Sequence, residues 1–195
     1  MPTLRQGGHK DLEKYYQLMQ MDFDSEELIG KLYLHKAMMK GEAELLILQD
    51  EETKIDLSYA FVITGNVYGY VLLKYFAVLP WYRGKGVGIE TMRALAKKYS
   101  GSQGIVAEIT DFPDQDPDHQ KKLKKYFSRF GYEPLSNDYK ISGTDAHIYV
   151  KAVKAQQDIS PVIHRVIRDF YSRILTPSAM RSMIDISPLQ VSDKG

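Results

Sequence analysis

The sequence predicts a mixed α/β fold with helices inserted between strands and a helical segment at the C-terminus. Two patterns carry this expectation. Residues from Glu44 to Val78 are dense in β-branched, aromatic and aliphatic types, and the stretches on either side repeat their apolar residues at helical spacing. The length agrees, since 195 residues at roughly 150 per domain make one globular domain with an appendage. Hydrophobic residues at 44% and charged residues at 26% are ordinary for a folded chain.

Each element has a local reason. Thr3 to Arg5 reads as a short strand before the turn Gly7-Gly8. From Lys10 to Phe23, Leu12, Tyr15, Leu18, Met19 and Phe23 form a helical stripe. Asp24-Ser25-Glu26-Glu27 offers an N-cap and first-turn acids for a second helix running through Leu28, Leu32, His35 and Met39 to Gly41. Glu44 to Gln49, Ile55 to Thr64 and Tyr68 to Val78, separated by Asp50-Glu51-Glu52-Thr53 and Gly65-Asn66, read as a three-stranded antiparallel meander. Ile89, Met92, Leu95, Ala96 and Tyr99 mark the next helix, and Ile105 to Thr110 another strand. Asp116-Pro117 starts a helix carrying Leu123, Tyr126, Phe127 and Phe130, closed by Gly131. Strands follow at Glu133 to Tyr139 and Ala146 to Val153. After Lys154 the composition shifts, so residues 1–153 form the domain and 154–195 a helical extension, whose helix from Ser160-Pro161 is broken at Thr176-Pro177.

Composition also excludes function classes. Twenty-six Lys+Arg against 25 Asp+Glu leave a formal charge of +1, so no global electrostatic field favours nucleic acid or an anionic membrane as partner. The absence of cysteine excludes disulfides, thiolate metal sites and any mechanism that parks an acyl group on a thiol. No signal-peptide core and no apolar run near 18 residues is present, which gives the expectation of a cytoplasmic protein. His9, His35, His119, His147 and His164 lack metal-ligand spacing, and no metal is expected. Asp114, Asp116 and Asp118 alternate like a calcium loop, but His119 and Lys125 stand where that loop needs Gly and Glu. The basic run Lys121, Lys122, Lys124, Lys125 and Arg129 reads as a solvated helix face, with contact to a phosphate as the second reading.

Arg83-Gly84-Lys85-Gly86-Val87-Gly88 lies between a strand and a helix. Closely spaced glycines let backbone amides converge on a ligand, and the helix adds the positive end of its dipole, so the turn suits a phosphate or diphosphate. It is not a P-loop, because Gly84-Lys85 is followed by glycine rather than Ser or Thr. Nor is it a dinucleotide fingerprint, because Ile89 stands three residues after Gly86. What remains is R-x-x-G-x-G on Arg83, Gly86 and Gly88.

The stretch from Leu73 to Gly88 resembles the acetyl-CoA motif of the GNAT N-acetyltransferase superfamily, and Tyr126-Phe127-Ser128-Arg129-Phe130-Gly131-Tyr132 resembles its second motif. The resemblance covers about residues 3 to 153. It implies a GNAT-like fold, with a central, mostly antiparallel sheet and helices on both faces. It also implies two strands that splay to admit the pantetheine arm of acetyl-CoA. Carried over, Phe76 and Val78 offer main-chain groups to that arm and the thioester. Arg83, Gly84, Lys85, Gly86, Val87 and Gly88 hold the diphosphate, and Gln120 and Phe127 contact the cofactor. A backbone N–H aimed at the thioester oxygen would stabilise the developing oxyanion.

The implied reaction is direct attack of a primary amine, on a small molecule or a peptide, with Glu108 as the base. The family's usual proton donor is a tyrosine at the position of Phe127, which has no hydroxyl. Tyr126 is adjacent but about 100° around the helix. Tyr126 acting as the donor, another tyrosine such as Tyr139, solvent, and an inactive copy are the open explanations. The leading expectation is therefore an N-acetyltransferase using acetyl-CoA. The alternative is a non-catalytic acyl-CoA-binding or regulatory module on the same fold. The extension packs on its own domain, with a homodimer through it as a second reading.

Overall fold

A computed structural model of the chain describes residues 2–111, 117–135, 139–153 and 159–187. Strand β1 (Pro2–Gln6) is followed by helices α1 (His9–Asp22) and α2 (Lys31–Met39). The meander β2 (Ala43–Asp50), β3 (Asp56–Ile63) and β4 (Tyr70–Val78) comes next, then α3 (Val87–Lys98), β5 (Gly104–Thr110) and α4 (Pro117–Arg129). Short β6 (Glu133–Pro134) and β7 (Tyr139–Ile141) lead into β8 (Thr144–Ala152), and α5 (Ile163–Ile174), α6 (Pro177–Met183) and β9 (Ile184–Asp185) complete the described chain.

The strands form one sheet in the order β1-β2-β3-β4-β5-β8-β7-β9, with β6 also paired to β8. Only β4 and β5 run parallel; the remaining pairs among the described residues are antiparallel. A parallel neighbour requires a crossover, and α3 supplies it. Helices cover both faces. Leu12, Tyr15 and Met19 of α1, Leu34 and Ala37 of α2, and Ile163, Val166, Ile167 and Phe170 of α5 pack on one face. Met92 and Leu95 of α3 and Phe127 of α4 pack on the other. The extension thus shares the main core, and β9 lengthens the sheet beyond β7.

Two expected elements differ. The Asp24–Glu27 acids do not open a helix: α2 begins at Lys31 with Gly30 as its N-cap. The Asp24 carboxylate accepts the Glu26 amide at 2.8 Å, and the Glu27 and Leu28 amides donate to the Asp24 carbonyl, giving a closed turn. The Tyr75 hydroxyl accepts the Ile29 amide at 2.8 Å and donates to the Glu27 carbonyl at 3.0 Å, holding this segment off a helical path. The single strand expected from Glu133 to Tyr139 is two, β6 and β7, both paired to β8. The break at Thr176-Pro177 also begins α6, where the Thr176 side chain accepts the Ala179 amide. The cap expected at Asp116 lies outside the described residues, as does the acidic alternation beginning at Asp114.

A candidate active site between splayed strands

The site begins at a fault in the sheet. Between β3 and β4 the register shifts, Phe61 pairing with Tyr75 but Val62 with Leu73, so Lys74 is an extra residue without a partner on β3. Such a bulge bends its strand and reverses the alternation of side chains. Leu72 and Tyr75 accordingly face the core under α1 and α5, while Leu73 and Phe76 face the core under α3 and α4. On the opposite edge, pairing with β5 ends at Leu73 and Ala107, although β4 continues to Val78 and β5 to Thr110. Two strands that part leave edge N–H and C=O groups open to a ligand.

The glycine turn sits beyond the end of β4. Gly84 and Gly86 have φ of +74° and +82°, the left-handed region that only glycine enters at little cost, and open space lies where a Cβ would stand. Gly86 is the N-cap of α3, so the first amides of that helix have no acceptor inside it. Gly88 is tight for a different reason, because a Cβ there would lie 2.7 Å from the Tyr126 hydroxyl. Arg83 is already engaged: its Nε donates to the Val78 carbonyl at 3.0 Å and its Nη2 to Asp22 at 2.8 Å.

On the other side of the opening, a cavity of about 110 Å³ is lined by Asp22, Glu27, Lys74, Phe76, Glu108 and Phe127, among others. Its polar floor is crowded. Lys74 Nζ donates to Glu108 Oε2 at 2.9 Å and lies 3.9 Å from Glu27 Oε1. The Tyr171 hydroxyl of α5 donates to Glu108 Oε2 at 2.7 Å, and the Tyr139 hydroxyl of β7 donates to Glu108 Oε1. The side chains of Lys74 and Glu108 are 0% and 1% exposed, so their attraction is little screened by water. Burial alone would push the Lys74 ammonium down, but Glu108, Tyr171 and Glu27 outweigh it and hold the group above the usual lysine value. Burial pushes Glu27 up, with Lys74 opposing and Glu108 reinforcing. Burial and the adjacent Glu108 also keep both tyrosines well above the usual phenol range.

No protein-family model matches the sequence, and no curated protein matches it. Solved structures do match the fold. An acetyltransferase assigned to the GNAT family from Bacteroides thetaiotaomicron superposes with a TM-score of 0.68 at 15% identity, over 87% of this chain and 96% of that one. The spermidine/spermine N-acetyltransferase SpeG of Vibrio cholerae gives 0.57 at 15% identity, over 78% and 92%. The ribosomal-protein-S18-alanine N-acetyltransferase of Escherichia coli gives 0.56 at 16% identity, over 81% and 97%. The chain has the GNAT acetyltransferase fold.

Within this GNAT fold the expected site residues fall into two groups. Phe76, Val78 and the turn from Arg83 to Gly88 lie along the β4 side of the opening, and Glu108 and Phe127 line the cavity. Phe127 packs edge-on to Tyr132, with its ring 6.3 Å from that of Tyr149. Tyr126 is turned away toward α3: its ring stacks on Phe76 and its buried hydroxyl, against Gly88, has no hydrogen-bond partner among the described residues. Burial pushes that hydroxyl well above the usual phenol value. Gln120 is buried and donates to the Thr110 carbonyl at 2.7 Å, closing the end of β5. Lys85 Nζ sits over the Tyr82 ring.

Sequence reasoning missed Glu27, Lys74, Asp22 and Tyr171. The sequence places Glu27 at a helix start and Lys74 in a strand, and nothing local links either to Glu108. A lysine inside an otherwise apolar run, Leu72-Leu73-Lys74-Tyr75-Phe76, was the one available signal, since lysine is almost never fully buried without a partner.

Proposed function

We propose that the chain is an N-acetyltransferase that moves an acetyl group from acetyl-CoA to a primary amine by direct attack. The observation that carries this reading is the opening between β4 and β5, with an open glycine turn at one end and buried carboxylates at the other. The residues present suit the coenzyme. The Gly84 and Gly86 turn leaves space where any side chain would intrude, and the first turn of α3 points unpaired amides and a positive dipole end toward it. The free edge of β4 at Phe76 to Val78 matches an amide-bearing arm, as a strand edge pairs with any extended amide chain.

When bound, acetyl-CoA supplies the acetyl thioester. The chain's own part is to hold the diphosphate at Gly84 to Gly88, seat the arm along β4 and exclude water with Phe76 and Phe127. It also presents carboxylates to the acceptor. Asp22, Glu27 and Glu108 line the cavity against Lys74, with Arg83 paired to Asp22 from outside the lining, so carboxylates outnumber cations three to two and favour a protonated amine. Amine acceptors appear in the names of both substrate-named neighbours, spermidine/spermine in one and a ribosomal-protein alanine in the other. The absence of a cysteine nucleophile agrees with direct attack.

One observation favours a second reading, a non-catalytic acyl-CoA-binding module: Phe127 brings no hydroxyl to the cavity. A single experiment separates the readings. Thermal unfolding is followed with acetyl-CoA, where stabilisation of about 2.7 kcal/mol is expected at one hundred times the dissociation constant. Release of free CoA is then measured across polyamines, aminoglycosides, amino acids and peptide N-termini. Stabilisation with turnover supports the transferase, stabilisation with none supports the module, and no stabilisation overturns both.

A further inference from the structure

We propose that Glu27 is the catalytic residue that takes the proton from the acceptor amine, with Glu108 serving as the fixed anion beside it. This rests on the acetyl-transfer reading above. The two carboxylates open on the same cavity but are held very differently. Glu108 is held on both oxygens: Lys74 and Tyr171 donate to Oε2 and Tyr139 to Oε1. The Glu108 side chain is 1% exposed against 10% for Glu27, so an acceptor amine in the cavity reaches Glu27 more readily. Glu27 shares the same ammonium only at 3.9 Å, beyond hydrogen-bond length.

Glu27 is also fixed in place by its backbone. Its amide donates to the Asp24 carbonyl, its carbonyl accepts the Tyr75 hydroxyl, and the neighbouring Glu26 carbonyl accepts the Ser142 hydroxyl. A base held this way gains by orientation what a flexible surface glutamate would lose. Lys74 comes from β4, Glu108 from β5, Asp22 from the end of α1 and Asp24 from the same turn, while α4 brings only Leu123 and Phe127 to the lining. Arg83, outside the lining, pairs with Asp22, so Lys74 is left as the cation that Glu27 and Glu108 share. Burial above all, with the charges of Glu108 and Asp24, raises Glu27, while Lys74 and the Thr110 hydroxyl offset this in part. A carboxyl poised upward accepts a proton near neutral pH more readily than an ordinary one.

An ammonium entering the cavity gives one proton to the Glu27 carboxylate, and its freed lone pair forms the C–N bond to the acetyl carbon. The C–S bond breaks with its electron pair on sulfur. A second proton leaves the nitrogen and ends on that sulfur through solvent, giving the amide and the thiol, and Glu27 later returns its proton to water. Tyr139 acts through Glu108, and Tyr171 through Glu108 and Lys74; both are positioning residues.

The test uses the full chain as wild type, Glu27→Gln, Glu27→Asp and Glu108→Gln. Acetyl-CoA affinity, the pH profile of kcat/KM for the best amine, and carbon NMR of glutamate-carboxyl-labelled unliganded protein are measured. Glu27→Gln is expected to keep acetyl-CoA affinity within about threefold, to lose about 10²–10⁴-fold in kcat/KM and to abolish the acid-side limb. It also removes a carboxyl resonance that titrates above the ordinary glutamate range. Glu27→Asp, which keeps the carboxylate if the glutamine variant fails to fold, retains the limb at lower kcat. Unchanged kcat/KM and pH profile in Glu27→Gln, loss of the limb in Glu27→Asp, or no upward-shifted resonance at Glu27 overturns the assignment. So does a limb that disappears only in Glu108→Gln. Failure of the wild type to bind acetyl-CoA instead overturns the functional reading, while the NMR titration still decides the state of Glu27.

Discussion

Arg83 Nη2 lies 2.8 Å from Asp22 Oδ1, and the same guanidinium holds the Val78 carbonyl at 3.0 Å. One side chain thus ties the glycine turn, the end of β4 and the end of α1 together at the mouth of the opening. Arg83 is 55% exposed on its side chain, so the pair contributes little to stability, about 0–1 kcal/mol. Arg83→Met is therefore expected to unfold within about 1 kcal/mol of wild type in urea. It should weaken acetyl-CoA about tenfold, or about 1.4 kcal/mol, by releasing the turn. Titration calorimetry checks this, and unchanged affinity removes Arg83 from the cofactor site.

Gly88 and Tyr126 make a size-complementary pair. A Cβ at Gly88 would meet the Tyr126 hydroxyl at 2.7 Å, and the ring is held by Phe76 and Phe130. Gly88→Ala is expected to cost about 1–3 kcal/mol by overpacking, although alanine is the better helix former. Removing the hydroxyl relieves the clash, since the next ring atoms lie 3.5 Å away. The double variant Gly88→Ala with Tyr126→Phe should return to within about 1 kcal/mol of Tyr126→Phe alone. Additive losses in urea unfolding would show that the two positions do not touch.

Lys74 and Glu108 form a buried pair whose halves depend on each other. Lys74→Met strands Glu108 with only tyrosine donors, and about 3–5 kcal/mol of stability is expected to be lost. Lys74→Met combined with Glu108→Leu removes both charges and should cost less than the single change. A double-mutant cycle by chemical denaturation measures the difference. A combined loss equal to the sum of the singles would mean that the pair is not coupled.

Asp56 gives the protein an acid limit. Burial would raise its carboxyl, but hydrogen bonds from Tyr15, Gln49 and Lys14 and the charge of Arg5 outweigh that and hold it at about 2. An unfolded aspartate titrates near 3.9. A lowered folded value contributes stability that is complete above about pH 4 and is lost as pH falls through about 2. Asp56→Asn should be less stable than wild type at pH 7, on the order of 1–2 kcal/mol. The gap should close toward pH 2. Parallel loss of stability in both proteins across that range would exclude Asp56 as the cause.

What could be read from the sequence is what short-range chemistry determines. The glycine turn declares itself because Gly84 and Gly86 need positive φ and Gly86 caps α3. The strands of the meander follow from their density of β-branched, aromatic and aliphatic residues and the turns between them, and the faces of α1, α3 and α5 from a period of 3.6. Asp24 and Glu26 suit a helix cap, yet α2 starts only at Lys31, because a hydroxyl distant in sequence, that of Tyr75, holds the turn off the helical path. Local propensity is weak beside such a tertiary contact.

The sequence by itself determined the order of elements, the phosphate-suited turn and the residues that could pack. Tertiary structure alone decided that a bulge at Lys74 interrupts the pairing of β3 with β4, that β4 and β5 part beyond Leu73, and that Glu27, Lys74, Glu108, Tyr139 and Tyr171 meet in one buried cluster. These five come from separate segments of the chain, and no local spacing records which side chains a folded sheet and its covering helices bring within hydrogen-bond reach.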